Sequence, residues 1–413
     1  NPENFFNLPS AELAGASNVF GATKERSAAG GSLLANDPHF ELSAPSLFYL
    51  ARLQLNDGGI IGASVPGTPI ILSGRNEKLA WGITASYLDD QDIFIEEKNV
   101  SNPKLYRTEE GWEKFKIDKQ YIKIKNSSDV QIERKWTRNG PVLPTTAFDL
   151  LSITPKHHVA SLSWTALTEK DTTVSAAINL MLSQNIEEGL AALESFHAPS
   201  LNFLLVDNDK IALKTVGKMP KRSPLNQTQG RMPSLGWKLE NKWRGYWGYE
   251  VNPLIMSSPG DIIGNTNNKL SDKKFPKHVS HFWGDTQRIL RWQKLMQNRQ
   301  VHTRESFIEA QLDTVSPTAR ALLPIIGSEL WYSQPMGEAG SKERLRFDAV
   351  SMLASWNGEM SEHLPEPLIY STWMKFLQKK LIDDDLGPIS SRFNQFNPIF
   401  VEKVFRDIDG ASI

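Results

Sequence analysis

The chain has 413 residues, 40% hydrophobic and 23% charged, with 46 basic and 47 acidic side chains and a net charge of -1. That balance excludes a protein that grips nucleic acid through a basic excess, and 12 Trp, 19 Phe and 8 Tyr exclude an aromatic-poor disordered chain. The absence of cysteine removes disulfides, thiolate nucleophiles and Cys-based zinc or iron–sulfur sites, and it is compatible with an oxidising compartment.

Residues 1–16 read as a linker or tail of Pro, Asn and small residues. The chain begins at Asn1 with no basic segment followed by an apolar one, so a processed piece is expected. From Ser17 short apolar runs follow closely: GGSLLAND, FYLARLQL, GGIIGASVPG, PIILSG and KLAWGITAS, each cut by Gly, Pro or Asn. Such runs predict packed strands. QYIKIKNSSDVQIERKW predicts a hairpin turning at Asn126–Asp129, and VASLSW (159–164) another strand. Thr173–Phe196 reads as two helices, with Ile178, Leu182, Leu190 and Leu193 at helical spacing. LNFLLVD and KIALKTVG flank Asn208–Asp209, a second hairpin signal. Residues 219–270 are crowded with Pro, Gly and Asn, and long irregular stretches are often functional.

From His281 the text turns helical, and LIYSTWMKFLQKKL places Ile369, Trp373, Phe376 and Leu377 on one face. A β-rich body followed by helices predicts an α+β or layered fold, not alternating βαβ units. No GxGxxG or GxxxxGK[ST] loop is present, so no nucleotide or other organic cofactor is expected. No apolar run approaches the roughly 20 residues that span a membrane.

Five segments carry the chemistry: GASN at 15–18, GGSLLANDPHF at 30–40, LAWGITASYLDDQDIF at 79–94, GNTNNK at 264–269 and HFWGDTQRILR at 281–291. In this order and spacing they resemble the penicillin acylase family of N-terminal-nucleophile hydrolases, which includes cephalosporin and acyl-homoserine-lactone acylases. The resemblance starts at Ser17, runs with interruptions to about residue 300, and continues more loosely through the helical remainder. It implies a four-layer αββα sandwich with a β-rich catalytic core at 17–280 and an appended helical region at 281–413.

The resemblance implies that Ser17 becomes the first residue of the catalytic chain after autoproteolysis at Ala16–Ser17. A serine hydroxyl needs a base, and a free α-amine, with an ordinary pKa of about 7.7–8, can serve from the same residue. Small Gly15 and Ala16 would let the backbone bend for that cleavage. His39 matches a position the family fills with His or Gln, where the ring would hold the amine or acyl group; read alone it caps the strand end after Pro38. Ala85 matches the backbone N–H donor of the oxyanion hole and Asn267 the side-chain donor, with Asn265 or Asn268 in its place if the register slips. Arg288 matches a family arginine that would orient Asn267 or steady the Ser17 amine; read alone it is a salt-bridge residue on an amphipathic helix.

Phe40, Leu72 and Ser73 match residues lining the acyl pocket. Ser73 stands where an aromatic-acyl pocket would carry a second Phe, which favours an aliphatic or different acyl group. For calcium the resemblance implies Asp89, Asp92 and the carbonyls of Gln91 and Pro220. The family's glutamate ligand belongs to a preceding chain, and its later aspartate falls near His278, a poor calcium ligand. Read alone, DDQD is a solvated acidic turn. His278 and His281 form an HxxH pair with no third ligand in the sequence, and read as a helix start.

The function implied is hydrolysis of a small N-acyl amide through a Ser17 ester, the substrate being a β-lactam side-chain amide or an N-acyl-homoserine lactone. The alternatives are an uncleaved inactive precursor or a non-catalytic binding protein on the same fold. A Ser-His-Asp hydrolase is disfavoured because no GxSxG elbow appears. The implied partner is the preceding α chain of the precursor, with no nucleic acid or membrane partner, in the periplasm or outside the cell. The length then reads as a fragment of that larger precursor.

Overall fold

The computed structural model describes residues 16–40, 43–56, 58–146, 150–283, 287–328, 330–331, 337–393 and 396–407. The linker reading of 1–16, Ala16 excepted, and the role of Gly15 lie outside the described residues. The first half contains β1 (Ala16–Ala22), β2 (Leu33–His39), β3 (Tyr49–Leu55), β4 (Gly58–Ser64), β5 (Ile71–Arg75), β6 (Ala80–Ala85), β7 (Gln91–Glu97), β8 (Leu105–Thr108), β9 (Gly111–Lys114), β10 (Lys116–Ile122), β11 (Val130–Thr137), β12 (Gly140–Pro141) and β13 (His158–Trp164). Then come α1 (Thr173–Leu182), α2 (Ile186–Leu193), β14 (Leu201–Val206), β15 (Ile211–Val216), β16 (Ser234–Leu235), β17 (Leu254–Met256) and β18 (Ile262–Asn265). The rest is helical: α3 (Gln287–Met296), α4 (Arg304–Gln311), α5 (Pro317–Ile326), α6 (Lys342–Ser355), α7 (Glu366–Leu386) and α8 (Pro398–Phe405). Contacts divide the chain into one unit up to position 284 plus Val301–Phe307, and a second made of the remainder.

In the first unit a seven-stranded sheet, order β17-β15-β14-β6-β5-β4-β3, lies against a three-stranded sheet, order β18-β1-β2. The central strands are apolar on both faces, as a sheet covered on both sides requires. In β14, Phe203 and Leu205 join α1 and α2 in a core with Trp81, Leu180, Ile186 and Leu193. Leu204 and Val206 face the other way and pack with Val19, Ile211 and Ile263 under the small sheet. Outside the small sheet, Phe20 meets Phe307 at 5.1 Å between ring centroids. Gly82 sits where the sheets come closest: a Cβ there would lie 2.7 Å from Val19 Cγ2 and 2.9 Å from Asn36 Cβ.

Both predicted hairpins form, as β10–β11 and β14–β15. Asp207 shapes the second turn by accepting from the N–H groups of Asp209 (2.9 Å) and Lys210 (2.8 Å). The two helices expected in Thr173–Phe196 are α1 and α2, and Asn185 caps α2 by accepting from Glu188 N at 2.9 Å. The face expected for α1 needs correction. Ile178 and Leu182 are 37% and 54% exposed, whereas Ala176, Ala177, Leu180 and Met181 are buried. Alanines let the helix axis approach the sheet, so the apolar stripe is narrower than the large side chains suggest.

In the second unit α5, α6, α7 and α8 contribute Leu322, Leu323, Leu353, Tyr370, Met374 and Val401 to one core. The face of α7 is rotated from the expected one: Tyr370, Met374, Gln378 and Ile382 are buried. Ile369, Trp373 and Leu377 pack beside that core, while Phe376 is exposed.

Candidate active site

Ser17 is the second residue of β1, and the alternation of the strand turns its side chain toward the large sheet, with Val19. It is buried, and its Oγ accepts from Asn267 Nδ2 at 3.0 Å and from Ala85 N at 3.3 Å. The Ser17 backbone N–H donates to Asn267 Oδ1 at 2.7 Å. One neutral amide therefore serves both the nitrogen and the hydroxyl of Ser17, with its acceptor end and its donor end. Because β1 begins at Ala16, that nitrogen belongs to a peptide bond in this structure.

Asn267 has φ 70°, in the left-handed region that Asn enters more readily than most residues. Its own N–H donates to Asn265 Oδ1 at 3.0 Å. Asn265 Oδ1 also accepts from Thr84 Oγ1 at 2.7 Å and Asn202 Nδ2 at 3.4 Å. Asn202 Oδ1 in turn accepts from Thr215 Oγ1 at 2.8 Å. Thr84, Asn202, Thr215 and Asn265 are all buried, on the side of β6, β14 and β15 that faces the small sheet. They connect the large sheet to the loop that aims Asn267 at Ser17. Of the three asparagines between which the sequence register could slip, Asn267 meets Ser17, Asn265 supports it, and Asn268 holds Thr266 N at 3.0 Å.

Sequence reasoning passed over Thr84, Asn202 and Thr215. Their signal was a polar residue inside an otherwise apolar central strand, which is informative because such residues must be hydrogen-bonded. Asn36 is a further missed residue. Its Nδ2 donates to Asn18 O (2.7 Å) and Ile83 O (2.9 Å), while its Oδ1 accepts from Ile83 N (3.0 Å) and Ser73 Oγ (2.7 Å). It joins the two sheets beside the nucleophile.

His39 is placed differently from its expected role. It pairs with Ala16 across β1–β2, so it stands on the Asn18 side of the small sheet, away from the Ser17 hydroxyl. Its Nε2 lies 2.6 Å from Asp37 Oδ2 and 3.5 Å from Asn18 Nδ2. Phe40 is 49% exposed and meets Phe48 edge-on at 5.4 Å. Leu72 packs beside the main core, and the Ser73 hydroxyl is bonded to Asn36. Arg288 lies half-buried in the first turn of α3, in the second unit.

The calcium set Asp89, Gln91, Asp92 and Pro220 does not fit a hard cation in this chain. Arg222 sits among these residues: its Nη2 donates to Asp92 Oδ1 at 2.7 Å and to the Asp89 carbonyl at 2.7 Å, and its Nε lies 3.1 Å from both Asp92 oxygens. Trp243 Nε1 donates to Asp92 Oδ2 at 2.7 Å. The Asp92 and Arg222 side chains are each only 4% exposed, and a Cβ on Gly230 would meet Asp92 Oδ1 at 2.4 Å, so the pair is closed over. A guanidinium thus supplies the positive charge that the expectation gave to calcium. Gln91 is exposed at the start of β7 and Pro220 is buried, bridging to Tyr246.

The penicillin amidase family model matches residues 2–409 of the chain. The chain belongs to the penicillin amidase family. Its relatives include the acyl-homoserine lactone acylase QuiP of Pseudomonas aeruginosa, 25% identical over 90% of this chain and 45% of that protein. Penicillin G acylase of Escherichia coli is 23% identical over 88% of this chain and 42% of that protein. The chain spans less than half the length of these curated relatives. A thermostable penicillin G acylase from Alcaligenes faecalis superposes with a TM-score of 0.76 at 20% identity, covering 92% of this chain and 67% of that one. The fold is that of the N-terminal-nucleophile hydrolases, as the resemblance implied.

Proposed function

We propose that this chain is the catalytic portion of an acylase in which Ser17 is the nucleophile once the Ala16–Ser17 bond is cut. The observation that carries the reading is the convergence of Asn267 and Ala85 on Ser17. In cleavage, Ser17 Oγ attacks the Ala16 carbonyl, the Ala16–Ser17 C–N bond breaks as the acyl group passes to Oγ and the α-amine leaves protonated, and water then hydrolyses the ester to free the Ala16 carboxylate and the Ser17 hydroxyl. In turnover, Oγ attacks the substrate amide carbonyl while its proton passes to that amine, held by Asn267 Oδ1, and then to the leaving amine. Water hydrolyses the acyl ester. Ala85 N–H and Asn267 Nδ2, which rest on Oγ before substrate arrives, become the donors for the oxyanion that forms one carbon away.

The substrate class is a small N-acyl compound. The names of the relatives supply the two candidates, an N-acyl-homoserine lactone and a β-lactam side-chain amide. We assign Phe40, Leu72 and Ser73 to the acyl side of the site, where Ser73 in place of a second aromatic ring favours an aliphatic or different acyl group. His39 acts through Asp37 and Asn18 on the strand that carries Ser17, as a positioning residue. Arg288 keeps the charge-bearing role that the resemblance implies. The partner is the preceding chain of the precursor. At the sheet edge Tyr49 and Leu50 of β3 are 66% and 78% exposed, an apolar edge that supports a further segment packing there. The thiol-free composition suits export to the periplasm or beyond. Among the described residues no helix is long and apolar enough to cross a membrane.

The test is intact-mass analysis and N-terminal sequencing of the precursor and its Ser17→Ala variant, with a panel of acyl-lactones and β-lactams. The expected result is a free Ser17 terminus and amidase activity, both lost in the variant. A permanently intact Ala16–Ser17 bond would leave the inactive-precursor or binding-protein reading instead.

A further inference from the structure

We propose that Asp89, His278 and His281 form a binding site for a borderline divalent metal ion, zinc in the first place. The sequence offered two histidines and no third ligand; the fold supplies one. Asp89 lies between β6 and β7, and one ligand atom from each of the three side chains lies within 4.8 Å of the others. His278 Nε2 is hydrogen-bonded to Asp89 Oδ2, and His281 N donates to the same oxygen at 3.0 Å. The two imidazole rings are 4.1 Å apart. The carbonyl of Gln229 lies 3.2 Å from His281 Nε2. His281 Nε2 also lies 4.0 Å from Asp89 Oδ2, so it is the ring nitrogen turned toward the cluster, and the Gln229 carbonyl is the partner it would leave on binding a metal.

The scaffold beneath the three side chains is already fixed. Asp89 N donates to the Val279 carbonyl at 2.9 Å, and Leu88, Met219 and Val279 pack together below. Tetrahedral zinc, with ligands at about 2.0–2.2 Å, holds its donor atoms roughly 3.4 Å apart. Rotation of half-exposed side chains closes the remaining gap, since His278 and His281 are each 31% exposed and Asp89 24%. Two imidazoles, one carboxylate and a water suit zinc, nickel or copper, whereas calcium requires six to eight oxygen ligands. A bound ion would tie the 85–90 segment, which begins at the Ala85 donor, to residues 278–281.

The experiment is calorimetric titration of the tag-free, EDTA-stripped full chain with zinc chloride and, separately, calcium chloride, with thermal melting in parallel. The expected result is saturable zinc binding at one equivalent with a raised melting temperature, and no calcium binding at the same concentrations. The His278→Gln/His281→Gln double variant should bind zinc roughly tenfold or more weakly, while His157→Gln/His158→Gln retains the wild-type affinity. Zinc affinity unchanged in the first variant, or calcium binding as tight as zinc, would overturn the site. Should that variant fail to fold, cobalt(II) loading of the unmodified chain decides. Visible absorption bands displaced by one equivalent of zinc support the site, and their absence removes it.

Discussion

Asn267 faces Ser17 with both ends of its amide, which makes it the most informative residue to change. Alanine there would strain a backbone at φ 70°, so glycine is the cleaner substitution. Asn267→Gly removes the proposed oxyanion donor and the acceptor for the Ser17 nitrogen while leaving Asn265 and its buried partners in place. Loss of one such donor costs about 100- to 1000-fold in turnover. We expect that loss in kcat from a variant that still melts cooperatively; a loss below about tenfold would remove Asn267 from the reaction. His39→Ala should behave differently. Its ring bonds Asp37 and Asn18, not the Ser17 hydroxyl, so acylase activity should fall without disappearing, and complete loss with the fold intact would make the ring the base. At this scale the segments that bring Ser17, Ala85 and Asn267 together, and the DDQD cluster, were legible because they are local words in the text. Arg222 was not, because nothing near KRSP states that it reaches back to Asp92. Nor were Thr84, Asn202 and Thr215 read as a set, because only the pairing of β6, β14 and β15 brings them side by side.

At the scale of elements, the site depends on how closely the small sheet lies on the large one. Gly82 permits that approach and Asn36 fastens it. Gly82→Ala inserts a methyl group against Val19 and Asn36, an overpacking that costs about 1–3 kcal/mol. The shift also carries β1 away from Ala85. The expected outcome is a lowered melting temperature together with slower Ala16–Ser17 cleavage; an unchanged melting temperature with normal cleavage would show that the sheets have slack. Strands and hairpins were readable here because turn residues punctuate them and apolar runs fill them. Helix faces were less so: in α1 and α7 the buried stripe is set by how near the axis lies to its neighbours, which small residues decide and which spacing of large ones does not report. The parallel pairing of β16 with β7, Ser234 opposite Phe94, arises within a loop-rich stretch that carries no strand pattern.

At the scale of the molecule, the balance of 46 basic and 47 acidic groups suggests little pH sensitivity, yet one lysine departs from that average. Lys214 lies in β15 on the face toward α1 and α2, only 3% exposed. Its Nζ donates to the carbonyls of Tyr249 (3.0 Å) and Asn252 (2.8 Å) and sits 4.3 Å from the Tyr249 ring centroid. Burial pulls its pKa down from 10.5 to about 8, against a smaller upward pull from Glu250. Between those values the unfolded chain holds a proton that the folded chain has released, so stability rises with pH across the window. Below about 8 both states are protonated and the full penalty of the buried charge applies; above 10.5 it is gone. The shift corresponds to a gain of at most about 3 kcal/mol. Tyr106, pushed up to about 12 by burial, acts in the opposite sense once pH passes the ordinary tyrosine value of 10, which confines a clean reading to pH 8–10. Chemical denaturation of the wild-type chain and of Lys214→Met across that range isolates the contribution. The wild type should gain on the variant by up to about 1.4 kcal/mol per pH unit, whatever the difference between them at neutral pH. Parallel stability curves would mean that Lys214 carries the same charge folded and unfolded, and that its two carbonyl partners and the Tyr249 ring compensate fully for its burial.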